Sequence, residues 1–338
     1  MSKKFTVAIA LDKGMAASII SKEDLAFLES FANVNSVSEL PAKMTREFME
    51  TIIKDADACI TGWGTPGFTK ELLDVAPKLR FIAHSAGSVK HMVPAEFWES
   101  NRRIASNAPI IAEDVAQTVL AYTLFCLKGF WGFAHDTRKG DWTGGEASKF
   151  VTRRLDGLNV GVVGASQVGR EVIRHFKPFK CNINLSDPYI SDIDAAALGV
   201  TRMSLEELIS TSDVLTLHAP ATESCRHMIN KNNLPLIKDG ALFINTARGM
   251  LIDEPEFIKE LEKNRFFACL DVTDPEPPTA DSPLRKLNNV LLTPHIAGGH
   301  TQNGRHMLGR NTVNELYNYL FKGILSYEVR KEMLATMA

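Results

Sequence analysis

Short apolar runs alternate with helical spacings along the early chain. Phe5 to Leu11, Ala58 to Ile60 and Leu79 to His84 read as strands, and Glu23 to Phe31 and Lys70 to Val75 as helices. Alternation of this kind implies a parallel sheet with helical crossovers. The loops Gly62-Trp63-Gly64-Thr65-Pro66-Gly67 and Ser85-Ala86-Gly87-Ser88 follow two of these strands, and ligands in open α/β sheets gather at such carboxyl-end loops. Apolar residues then keep helical spacing from Ala112 to about Lys128, followed by a loose stretch rich in Gly and Trp, Gly129 to Gly145.

A second series begins at Leu158. It predicts a strand over Asn159 to Val163, a helix over Val168 to Phe179 and a strand over Asn182 to Ser186. Further strands are expected at Val214 to His218, Ala241 to Asn245, Phe267 to Val272 and Val290 to Leu292, with helices at Glu254 to Lys263 and Asn311 to Phe321. No internal repeat of roughly 20 to 50 residues interrupts the pattern.

Composition narrows the picture. The chain has 338 residues, 45% hydrophobic and 23% charged with a net charge of -2, which suits an ordinary α/β protein of about two domains. Basic residues are scattered and gather in nothing larger than short pairs such as Lys3/Lys4, Arg102/Arg103 and Arg153/Arg154, so no nucleic-acid partner is expected. Cys59, Cys126, Cys181, Cys225 and Cys269 are widely spaced without CxxC and read as free thiols in a reducing, cytoplasmic setting. Asp12 and Lys13 break the first apolar stretch before it resembles a secretory signal. The most membrane-like segment, Val115 to Ala134, contains Gln117 and Lys128. A buried or subunit-interface helix is expected there, and no membrane association.

Candidate chemistry concentrates in the second series. Gly164-Ala165-Ser166-Gln167-Val168-Gly169 joins an apolar strand to a helix whose N-terminus offers free N–H groups to a pyrophosphate. Asp187 closes the next strand, where a carboxylate can accept from ribose hydroxyls and repel a 2′-phosphate. Ser166 occupies the middle position of the GxGxxG fingerprint, and its hydroxyl can donate to a phosphate oxygen in place of a close backbone approach.

Arg248, Glu276 and His295 each follow an apolar run, so all three are expected on one edge of a parallel sheet, the edge that carries the Gly-rich turn. Taken singly each reads as an ordinary loop residue, but together they form a working set. A guanidinium can hold an α-keto carboxylate, an imidazolium can protonate the ketone oxygen as hydride arrives, and a carboxylate favours the imidazolium. A zinc site from His295, His300 and His306 matches no common ligand spacing, so no metal is expected.

These blocks resemble the D-isomer-specific 2-hydroxyacid dehydrogenase family: the Gly-rich turn, Leu217-His218-Ala219-Pro220, Asn245 to Gly249, Asp271 to Pro277 and Thr293 to Gly298 occur in its order. The resemblance implies two Rossmann-like, doubly wound parallel-sheet α/β domains with an active-site cleft between them. A discontinuous substrate-binding domain would comprise residues 1–106 and 299–338, and an NAD-binding domain residues 107–298, with 112–150 as linking helix and homodimerisation arm. Arg248 would bind the substrate, His295 would act as acid/base and Glu276 as its partner. NAD would be held by Gly164, Ser166, Gln167, Val168, Gly169, Asp187, Pro188, His218, Ala219, Pro220, Thr246, Ala247, Arg248, Asp271, His295 and Gly298.

The resemblance is looser in the first series. Relatives place a Gly-x-Gly loop against the substrate carboxylate where this chain has Ala86-Gly87-Ser88, and many carry Glu where Gln117 stands. Ala86, Gly87, Ser88 and Trp63 are the substrate-binding candidates there. The expected activity is reversible reduction of a small 2-oxo acid by NADH. The competing reading is a non-enzymatic, NADH-responsive binding protein of co-repressor type on the same fold.

Overall fold

The computed structural model describes residues 5–143, 152–335 and 337. The chain forms two compact α/β units, one from residues up to Ile111 together with Gly299–Met337, the other from Ala112–Gly298. The first unit therefore includes residues 107–111, which the sequence places with the cofactor domain. The reason is local: buried Asn107 donates through Nδ2 to the Leu308 carbonyl and to Thr312 Oγ1, both at 2.9 Å.

In this first unit five strands run parallel: β1 (Phe5–Ile9), β2 (Ala32–Val34), β3 (Ala58–Thr61), β4 (Phe81–His84) and β5 (Arg103–Ser106). The sheet order is β2, β1, β3, β4, β5, with a short strand Glu328–Val329 antiparallel at the β5 edge. β3 and β4 are buried throughout, as continuous apolar strands covered on both faces should be. The helices between strands start where a hydroxyl or carboxylate can take an orphan N–H: Asp12, Ser21, Thr45 and Thr69 all cap in this way.

The closing helix begins at Gln302, well before the expected Asn311, because Thr301 caps it by accepting from Gly304. Polar residues and two glycines hide that start in the sequence. One of them is needed for packing: a Cβ on Gly309 would lie 2.0 Å from the Ile19 carbonyl oxygen.

The second unit holds seven parallel strands: β6 (Asn159–Val163), β7 (Asn182–Ser186), β8 (Thr201–Arg202), β9 (Val214–Leu217), β10 (Leu242–Asn245), β11 (Phe267–Leu270) and β12 (Val290–Leu292). Their order, β12-β11-β10-β9-β6-β7-β8, reverses direction between β6 and β9. Such a switch point opens a crevice at the carboxyl ends of the strands, where ligands bind.

A long helix, Ala108–Leu127, precedes this sheet. It ends at Gly129, whose φ of +67° glycine adopts without strain. The stretch after it is not loose throughout, as the sequence suggests: Phe130–Arg138 forms a further helix. Residues 144–151, the remainder of the expected arm, lie outside the described residues. The long helix is long and apolar enough to cross a membrane by length and composition alone, with a mean hydropathy of 1.5.

Candidate active site

The glycine-rich turn is built by close approaches. Gly164 has φ +97°, and a Cβ there would lie 2.8 Å from the Ala219 nitrogen; one on Gly169 would lie 2.0 Å from the Gly164 carbonyl oxygen. Both positions exclude any side chain, which brings the turn against the β9 end and starts the helix Gln167–Phe176. Ser166 is the helix cap, its Oγ accepting from Gly169 N at 3.3 Å. That leaves the N–H groups of Gln167 and Val168 without intrahelical acceptors, and the serine hydroxyl hydrogen available to an outside oxygen.

Asp187 follows β7 and is fixed by backbone. Its Oδ2 accepts from Ala165 N at 2.7 Å and its Oδ1 from Tyr189 N at 2.8 Å, so the carboxylate is tied directly to the glycine turn. Pro188, beside it, is exposed.

At the end of β9, His218 is 3% exposed, with Nε2 2.9 Å from Thr216 Oγ1 and Nδ1 without a partner. Burial pulls its pKa down to about 3, so the ring is neutral. Ala219 is buried and Pro220 half-buried beside it. At the end of β10, Thr246 Oγ1 is also buried without a partner. An unmade hydrogen bond on a buried group is costly. Two of them at adjoining strand ends, with a side-chain-free turn and a ribose-ready carboxylate, fit a dinucleotide.

Arg248, Glu276 and His295 sit beyond the ends of β10, β11 and β12, three consecutive strands of one parallel sheet. His295 Nδ1 lies 2.6 Å from Glu276 Oε1, which leaves Nε2 as the ring nitrogen for a reacting atom. Burial lowers the pKa of the Arg248 guanidinium, and the Glu276 charge opposes that shift. The Arg248 turn is shaped by Asn245, whose Nδ2 donates to the Arg248 carbonyl at 2.9 Å while its Oδ1 accepts from Ala247 N at 3.0 Å. Glu254 holds the turn before Glu276 by accepting from Asp274 N at 2.9 Å, and its pKa is raised by burial and by the Asp274 charge.

Asp271 lies 1% exposed at the end of β11. The resemblance implies a cofactor contact for it, yet the described contacts of its carboxylate are spent on the histidine loop. Oδ1 accepts from Thr293 Oγ1 at 2.6 Å and Ile296 N at 2.9 Å, and Oδ2 from Ala297 N at 2.8 Å. The Asp271 carbonyl accepts from His295 N at 2.9 Å. Gly298, half-buried, ends the loop.

In the first unit, the loop after β4 places Ala86 in the interior, Gly87 half-buried and Ser88 in solvent. Trp63 lies in the loop after β3, its ring against Gly299, where a Cβ would stand 2.4 Å from Cη2.

Asn245, Glu254, Thr293 and Tyr122, whose Oη lies 2.8 Å from Thr293 Oγ1, are absent from the candidates read from the sequence. Three of them lie inside or beside the recognised blocks and act through other residues. Nothing in the pattern of the long helix marks Tyr122.

A family model, D-isomer specific 2-hydroxyacid dehydrogenase, NAD binding domain, matches residues 120–297. The D-3-phosphoglycerate dehydrogenase of Methanocaldococcus jannaschii is 31% identical over 86% of this chain, which spans 55% of that protein's length. The glyoxylate reductase of Korarchaeum cryptofilum is 30% identical over 72% of this chain and 74% of its own. Among solved structures, a glyoxylate reductase from Paecilomyes thermophila superposes with a TM-score of 0.79 at 24% identity, covering 98% of this chain and 100% of that one. At that identity the superposition speaks for the fold.

Proposed function

Because this chain belongs to the D-isomer-specific 2-hydroxyacid dehydrogenase family, we propose that it is an oxidoreductase that moves a hydride between NAD(H) and a small 2-hydroxy or 2-oxo acid. NAD is the cofactor, since the matched domain is an NAD-binding one. One observation carries the reading: an imidazole with one nitrogen held 2.6 Å from a carboxylate, on the strand-end edge that also carries a half-buried arginine and a glycine-built phosphate turn.

The N–H groups of the Gly164 to Gly169 turn would hold the pyrophosphate, and Asp187 would accept from the adenosine ribose. Arg248 clamps the substrate's carboxylate and carbonyl with its planar fork. Glu276 fixes the tautomer and orientation of His295, so that Nε2–H gives its proton to the ketone oxygen during reduction and takes it back during oxidation. NAD, when bound, supplies the hydride acceptor or donor. Ala86, Gly87 and Ser88 are assigned to substrate binding because they lie at the carboxyl end of β4, and Trp63 because it lies at that of β3.

We further propose a homodimer formed through the long helix and the helix after it, because Phe125, Phe130 and Trp131 are exposed there and surface aromatics in a row mark an interface. Light scattering on the purified chain measures this. The wide spacing of the cysteines supports a cytoplasmic setting, and the scattered basic residues support the absence of a nucleic-acid partner.

The test is NADH oxidation against glyoxylate, hydroxypyruvate, pyruvate, bulkier 2-oxo acids and oxaloacetate. Turnover with at least one, faster with NADH than with NADPH, is the expected outcome. Tight NADH binding with no turnover across the panel would overturn the assignment.

A further inference from the structure

The long helix Ala108–Leu127 is apolar on most sides, but Thr118, Tyr122 and Cys126 follow one another at one-turn spacing. Residues four apart share a helix face, and all three meet the stretch from β11 to the histidine loop. Thr118 Oγ1 donates to the Ala297 carbonyl at 2.9 Å, Tyr122 Oη lies 2.8 Å from Thr293 Oγ1, and Cys126 Sγ lies 3.4 Å from Cys269 Sγ.

Counting protons fixes the direction of the central bond. Thr293 has a single hydroxyl hydrogen, and it is donated to Asp271 Oδ1 at 2.6 Å. Thr293 can therefore only accept from Tyr122, which must be the donor. The phenol stays a donor across working pH: burial pushes its pKa up to about 12, the Thr293 bond opposing and the Asp271 charge reinforcing. The chain of bonds runs from Tyr122 through Thr293 to Asp271, whose carboxylate also takes the N–H groups of Ile296 and Ala297.

The loop so held is strained. His295 has φ +55°, a left-handed conformation that is unfavourable for a non-glycine residue and persists only where neighbours over-determine it. The long helix supplies that constraint on both sides of the histidine, at the Thr293 side chain and at the Ala297 carbonyl.

We propose that Tyr122, assisted by Thr118, is a positioning residue for the reaction: through Thr293 and Asp271 it locks the loop that aims His295 at the substrate. This rests on His295 being the proton donor, as argued above.

The test compares Tyr122→Phe, Thr293→Val and Thr293→Ser in the full chain. The measurements are kcat, KM for the preferred 2-oxo acid, the NADH dissociation constant by fluorescence titration, and the His295 imidazole signals in ¹⁵N-histidine NMR, assigned by their loss in His295→Asn. Tyr122→Phe is expected to lower kcat about tenfold, the scale of one hydrogen bond, with NADH affinity unchanged and the His295 signals shifted or broadened. Thr293→Val should fall at least as far, and Thr293→Ser, which keeps the relay, should match wild type.

Wild-type kcat with unmoved His295 signals in Tyr122→Phe would overturn the proposal, as would an equal loss of NADH affinity and kcat. Should the wild type reduce no 2-oxo acid at all, the assigned reaction fails. The NMR comparison still decides the positioning role in that case: moved signals in Tyr122→Phe support it and unmoved signals refute it.

Discussion

The glycine-rich turn after β6 is held by what its residues lack, whereas the loop from Thr293 to Ala297 after β12 is held by what its side chains donate and accept. Both lie at the carboxyl edge of one sheet. At Gly164 and Gly169 the neighbouring backbone comes within 2.8 and 2.0 Å of where a Cβ would stand, so steric exclusion sets the shape. In the other loop a buried aspartate gathers two N–H groups and one hydroxyl to hold a histidine in a backbone conformation it would not choose. The first arrangement suits a task of holding, in which backbone N–H groups meet a charged group. The second suits a task of proton transfer, in which one side chain must be aimed within a few tenths of an ångström.

The contrast predicts separable failures. The largest effect belongs to the histidine loop: His295→Asn should lower kcat by roughly two to four orders of magnitude, the usual scale for a general acid, while the NADH dissociation constant stays near wild type. A variant keeping more than about a tenth of wild-type turnover would remove His295 from that role.

How each loop is legible in sequence follows from the same contrast. Steric exclusion leaves a trace in residue type, so Gly164 and Gly169 stand out along an apolar strand and its helix. Arg248, Glu276 and His295 stand out because each breaks the end of an apolar run, and the strands carrying them, Leu242–Asn245, Phe267–Leu270 and Val290–Leu292, fall within the expected ranges. A hydrogen-bonded relay leaves no such trace. Tyr122 sits in an apolar helix where an aromatic residue reads as packing, and only the fold brings it to Thr293. The helix Phe130–Arg138 was hidden by its glycine and tryptophan content, and the short strands Ala32–Val34 and Thr201–Arg202 by their length.

The next effect sharpens the steric half of the comparison. Gly169→Ala places a methyl group against the Gly164 carbonyl, a backbone atom that cannot swing aside, so NADH affinity should fall by on the order of 10- to 100-fold. Ser166→Gly, which leaves that contact untouched, should change it by no more than about tenfold, because glycine is a tolerated helix cap. Fluorescence titration of both variants checks this. Equal affinities in Gly169→Ala and wild type would mean the turn does not cradle the pyrophosphate.

The smallest effect concerns two buried histidines, one in each unit. His218, under the glycine turn, and His84, at the end of β4 in the other unit, are buried and neutral, their pKa values pulled by burial from 6.5 to about 3 and about 4. Once unfolded, both bind protons below about pH 6.5, so the unfolded state holds more protons than the native one in that range. Their contribution to stability is complete above about pH 6.5 and is lost as pH falls toward 4 for His84 and 3 for His218. Urea midpoints should therefore decline from pH 7 to pH 5, and the decline should be shallower in His218→Asn. An identical slope in that variant would show that His218 is not held neutral.

The central claim is that this chain delivers a hydride to the 2-carbon of an oxo acid while His295 protonates the oxygen. Its most direct measurement follows NADH carrying deuterium at both C4 positions through reduction of the best 2-oxo acid, with mass spectrometry of the product. The account predicts a 2-hydroxy acid with one deuterium at C2 for each NADH consumed, and no such product from His295→Asn on the same timescale. A product whose C2 hydrogen comes from water, or NADH consumption without a 2-hydroxy acid, would contradict it.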